Sequence, residues 1–188
     1  MKPLEEKTSH KSGLLTLLVE QLDQLYATET YLGKTLSELT SAASSESLRE
    51  VLQDYAEVVT NQTYRLELIF GQLNQPRQPH TYDGMSGLIR EARQAIEQTI
   101  EGSMTRDSGL ILACQKICSY KESVYQSLCN FAESLGYSPV SHLLEKSLQD
   151  ERDIRQVLTN AASLFFNRQA SMESPRTPSP KFPNPRLN

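Results

Sequence analysis

Glu29, Lys121, Glu151 and Arg155 each fall within a run of otherwise apolar residues spaced three and four apart. That spacing marks the buried seam of a helix packed in a bundle. An unpaired charge on such a seam is costly to desolvate, so each of these residues calls for an opposite charge or a metal ion. Glu151 and Arg155 are four residues apart and share one side of a helix. Two acids and two bases sum to zero, so the expectation is one buried cluster that neutralises itself. Carboxylates meeting inside a bundle are also the usual material of iron and manganese sites, because such cations take anionic oxygen ligands. The cluster therefore reads as a binding site or as the remnant of one. Any single member could instead extend its side chain to the surface, as Lys and Arg readily do. All four doing so would require several helix phases to be wrong together.

Other reactive side chains give weaker signals. Cys114, Cys118 and Cys129 lie in one helical segment. A soft-metal or redox role is conceivable for them, but buried cysteine is more often a small core residue. Tyr26, Tyr55, Tyr120 and Tyr125 could relay electrons near a metal, with aromatic packing as the simpler reading. The three histidines are His10, His80 and His142, and none has an acid three positions before it. Their positions, in a leader, a loop and the first turn of a helix, keep them from any site at mid-bundle. There is no phosphate-binding glycine loop, no nucleophile–base pair and no zinc-type Cys/His spacing.

The elements that must carry the charged residues follow from the same periodicity. A leader over 1–12 is expected to be disordered. A first helix runs from about Gly13 to about Ser41 with Leu18, Leu22, Leu25, Leu32, Leu36 and Leu39 on its stripe. After the Ser-rich link Ala42–Ser47, a second helix continues to about Leu73. Its cap is Ser47, with Glu50 at capping-box spacing, or equally Ser44 or Ser45. Its stripe is Leu48, Leu52, Tyr55, Val59, Gln62, Leu66 and Ile69. Pro76 and Pro79 place Asn74–Tyr82 in a loop. A shorter helix spans roughly Gly84–Glu101, and a long one about Asp107–Leu135. Gly136 stops that helix, and Ser138–Pro139 starts a last one that runs to about Asn167. The tail, 169–188, is rich in proline and is expected to be disordered. Its "SPRTPSP" segment could dock onto a protein partner or accept phosphate. The fold is therefore all-α, over residues 13–168. Four long helices have one long crossover, which carries the short helix, and that is the ferritin-like arrangement.

Bulk properties narrow the classes. A length of 188 residues suits one domain with tails. A net charge of -4 argues against nucleic acid. No apolar run approaches a membrane span. The polar first residues do not read as a signal peptide, and the odd number of cysteines suits a reducing compartment, so the cytoplasm is the expected location.

Four segments are similar to those of the ferritin-like bacterial stress-protein family typified by YciE and YciF. They are "LYATETYLGKTL", "GMSGLIREA", "ACQKICSYKESVY" and "AESLGYSPVSHLLEKSLQDE". The resemblance spans roughly residues 14–165 and implies a ferritin-like bundle, commonly a dimer, with carboxylates and histidine forming a di-iron centre. Carried over residue by residue, Glu29 and Glu151 keep the family's acids in the first and last helices. Tyr55 and Val58 stand where the family has a His and a Glu. Cys118 and Lys121 stand where it has two Glu, and Arg155 where it has an Asp. The residual metal candidates are Glu29, Glu151, Asp150 and Cys118.

The favoured expectation is a non-catalytic structural or interaction protein without cofactor, homodimeric and possessing a salt-bridged core in place of the metals. The alternative is an iron- or manganese-binding oxidoreductase or iron-handling protein with a reduced ligand set. A stress-related role is implied by the resemblance alone.

Overall fold

The computed structural model describes residues 4–79 and 83–173, with side chains for 13–79 and 84–164. Among the described residues five helices follow one another: α1 Leu4–Ala42, α2 Glu46–Leu73, α3 Asp83–Glu97, α4 Met104–Leu135 and α5 Ser138–Glu173. α1 begins ahead of the expected start at Gly13, so residues 4–12 of the expected leader are helical. α5 runs past the expected end at about Asn167, so residues 169–173 of the expected tail are helical. The tail beyond Glu173, including its "SPRTPSP" segment, lies outside the described residues, as does His80.

α1 pairs with α2 and α4 with α5, while α1 also packs on α4 and α2 on α5. The four long helices thus close a ring in the order α1, α2, α5, α4. α3 lies in the crossover from α2 to α4 and packs on α4 and α1. It can lie close to α4 because Gly109 has no side chain: a Cβ there would sit 3.0 Å from the Ala95 methyl.

The ends of the helices explain the boundaries. Ser45 is the cap of α2, accepting from the Leu48 N–H, and it settles the choice left open among Ser44, Ser45 and Ser47. Ser103 caps α4, which therefore starts before the expected Asp107. Asp107 is buried and serves a different turn. Its two carboxylate oxygens accept from the N–H groups of Ser44 and Ser45, at 2.6 and 2.9 Å. Arg49 meanwhile donates to the carbonyls of Ala43 and Ser44. Both kinds of orphan backbone group in the α1–α2 turn are thereby satisfied. α3 stops at Glu97, short of the expected Glu101, where Arg106 reaches back to donate to the carbonyls of Ile96 and Thr99. Gly136 closes α4 at a φ of 83°, in the left-handed region that favours glycine.

Side chains bury into two apolar halves. One holds Leu32, Leu36, Leu52, Ile117 and Leu158 with the inner face of α3; the other holds Leu18, Leu22, Leu66, Leu128 and Leu144. A layer of polar side chains lies between them.

Candidate functional site: a buried ion triad between the helices

Each long helix contributes to that layer. α1 supplies Glu29, α2 Tyr55 and Gln62, α4 Lys121 and Tyr125, and α5 Glu151; all six are 0 % exposed. They arrive there because each occupies a position of its helix's apolar stripe, so the packing that buries the leucines buries them too.

Lys121 is the hub. Its ammonium nitrogen, Nζ, lies 2.6 Å from Oε1 of Glu151, 2.7 Å from Oε2 of Glu29 and 2.8 Å from Oε1 of Gln62. It donates hydrogen bonds to Glu151 and Gln62 and forms an ion pair with Glu29. The Gln62 amide, whose oxygen accepts from Lys121, uses its nitrogen to donate to Glu151 and to the Ser147 carbonyl. Tyr55 donates to the other oxygen of Glu151 at 3.2 Å, and Tyr125 donates to Glu29 at 2.8 Å. The Tyr55 ring also lies 5.3 Å from Nζ, within cation–π range. The phenols are thus hydrogen-bond donors to the carboxylates as well as packing groups.

Burial pushes Glu29 up to about 7; Lys121 beside it opposes that rise and Glu151 adds to it. Burial alone would lower Lys121, but Glu151 and Glu29 outweigh it and hold the ammonium above its ordinary range. Burial raises both phenols well above the usual tyrosine value. Formally the triad carries two negative charges and one positive, a surplus of one negative charge. A raised Glu29 is the expected response, because a proton on one carboxylate removes the surplus.

Arg155 corrects the expected cluster. It is exposed and pairs with Glu122 on α4 instead of entering the core. The four-residue step from Glu151 rotates the side chain by about 40° around the helix, and at this level Ile154 and Leu158 fill the interior. The neutral sum of four charges therefore gives way to a triad with one surplus negative charge.

The other metal candidates also lie apart from the triad or in unsuitable form. Asp150 pairs with Arg65 near the surface. Cys118 is buried next to Tyr55, and burial, followed by Glu151, pushes its thiol far from the thiolate that binds metal. Cys114 is raised to about 12 by burial. All three cysteines are free and buried. His142 is exposed beside Glu145. Among the described residues no group of three or more His, Cys, Asp or Glu side chains is placed to hold a metal ion. A carboxylate-bridged di-iron centre takes about six protein ligands. Here two carboxylates converge, with an ammonium between them, and this donor set does not fit that group.

Sequence reasoning missed Gln62 and the donor role of Tyr55 and Tyr125. The signal for Gln62 was present, since it is the one amide on the α2 stripe.

Residues 14–171 match the family described as a domain of unknown function, DUF892. The chain belongs to this family. It is 31 % identical to Protein YciF of Escherichia coli K12 over 155 residues, covering 82 % of this chain and 93 % of that protein. The crystal structure of the E. coli stress protein YciF superposes with a TM-score of 0.79 at 29 % identity, covering 82 % of this chain and 98 % of that one. YcfI of Rhodopseudomonas palustris, described as a candidate structural protein, gives a TM-score of 0.74 at 24 % identity over 78 % and 92 % of the two chains. The all-helical, ferritin-like bundle and the resemblance to the YciF stress-protein family are both established by these matches. No helix among the described residues is long and apolar enough to cross a membrane.

Proposed function

We propose that this DUF892 protein is a non-catalytic, cytoplasmic structural or interaction module of the stress-protein type, acting as a homodimer, in which the Lys121 ammonium takes the place of metal ions. The observation that carries this reading is the position of Nζ, within 2.7 Å of both buried carboxylates. A covalently tethered cation there offsets Glu29 and Glu151 and repels a second cation. Pairing of this kind stabilises little in net terms against an apolar core, but it fixes which helix faces which, because any other register strands a charge. The likeness to YciF, called a stress protein, and to YcfI supports a role of this class.

Metal content tests the proposal. The full chain, purified from cells grown with iron and manganese, is expected to hold far less than one metal ion per chain. Near-stoichiometric metal that disappears in Glu29→Ala would establish the alternative, an iron- or manganese-handling protein. Arg155 lies outside the triad, so Lys121→Glu alone should raise manganese affinity and Arg155→Asp should not. Equal behaviour of the two variants would show that Lys121 is not what excludes metal.

A further inference from the structure

A groove of about 430 Å³ opens on the surface between α1 and the segment after α2, away from the ion triad. One wall is a stripe of α1, with Tyr26, Ala27, Thr30, Tyr31 and Lys34; the other is Arg77, Gln78 and Pro79. Specific contacts build it. The buried Asp23 carboxylate at its floor accepts from the Gln78 N–H at 2.9 Å, which holds the extended segment against the helix. Tyr26 donates to Glu67, which fixes its ring, and the Arg77 guanidinium lies over that ring in cation–π contact, 4.0 Å from its centre.

A guanidinium held over a ring by its central carbon can still offer N–H groups to a planar anion. Among the described residues no carboxylate pairs with Arg77, and none pairs with Lys34. This contrasts with Arg49, Arg65, Arg93, Lys116 and Arg155, each of which has a carboxylate partner. The one acid lining the groove, Asp23, is engaged with backbone. The groove thus offers a planar fork of donors, a second cation and an apolar wall from Ala27, the Tyr31 ring and Pro79, in a volume suited to a small molecule.

We propose that this groove is a binding site for a small aromatic carboxylate. The ligand's carboxylate would take the fork of Arg77, with Lys34 adding positive charge to the same groove, and its ring would lie on Ala27, Tyr31 and Pro79. A guanidinium and a carboxylate match as two parallel N–H···O bonds, which gives such a pair its geometric specificity.

The test is titration of the isotope-labelled full chain with 2-naphthoate, followed by amide NMR shifts. Saturable shifts should centre on Ala27, Thr30, Tyr31 and Gln78. Arg77→Gln with Lys34→Gln should weaken binding at least about tenfold, and uncharged 2-naphthalenemethanol should bind correspondingly worse. Both substituted side chains are exposed, so the fold should persist, as the unchanged remainder of the spectrum would show. Shifts scattered over the surface, equal binding by the alcohol, full affinity in the double variant, or no saturation up to millimolar naphthoate would each overturn the proposal. None of these outcomes depends on whether the core binds metal.

Discussion

At Glu29, burial competes with the ammonium beside it, and burial prevails: the carboxyl is raised from 4.5 to about 7. The unfolded chain loses this proton near 4.5, whereas the folded chain keeps it until about 7. Between those values the native state binds more protons, so this residue's contribution is full below 4.5 and is lost as pH rises through 7. Its slope is at most about 1.4 kcal/mol per pH unit. Glu29→Gln mimics the protonated acid and should flatten that part of the profile. Urea denaturation of both proteins from about pH 4.5 to about pH 8 checks it; parallel stability curves would mean that Glu29 titrates normally. Lys121 changes in the same sense, at much higher pH. Its raised value keeps its contribution intact below its ordinary range and removes it only in strong alkali. Lys121→Met strands two facing carboxylates, and at about pH 8 it should cost about 3–5 kcal/mol. Adding Glu29→Gln should restore a measurable part of that loss, since only one buried charge then remains.

The α1–α2 turn depends on a residue far away in sequence. Asp107 accepts from Ser44 and Ser45 and so ties the start of α4 to the start of α2. Asp107→Ala leaves two backbone donors without their partner and should destabilise the chain by about 1–3 kcal/mol. Asp107→Asn, which keeps one accepting oxygen, should lose less. Equal losses in thermal melts would show that one accepting oxygen alone preserves none of the stabilisation. Sequence spacing located α4 well but put its start at about Asp107, past the Ser103 cap. Only the approach of α4 to the α1–α2 turn shows which backbone groups that acid serves.

For the whole molecule, the polar layer joins two apolar halves drawn from the same long helices. No helix lies in one half only, apart from the short α3, so the two halves should unfold together. Hydrogen exchange is expected to protect the central amides of α1, α2, α4 and α5 to the same free energy. A half that opens alone would show that the triad does not couple them. The proposed dimer is checked by sedimentation at micromolar concentration, where a purely monomeric boundary would refute it.

The sequence by itself determined the five helices, their order, the long crossover, and the depth at which Glu29, Lys121 and Glu151 lie. Three–four periodicity is a local property, and it places a residue on a stripe before any neighbour is known. Tertiary structure decided what each of those charges faces. Arg155 satisfies the same spacing, yet its direction differs by the small rotation left over after four residues, and that rotation carries it to Glu122 and to water. Gln62 and the phenols of Tyr55 and Tyr125 looked like interruptions or packing on single helices. They became hydrogen-bond partners only when four helices closed around one point, because direction toward a common centre is a property of the assembled bundle and of no single strip of sequence.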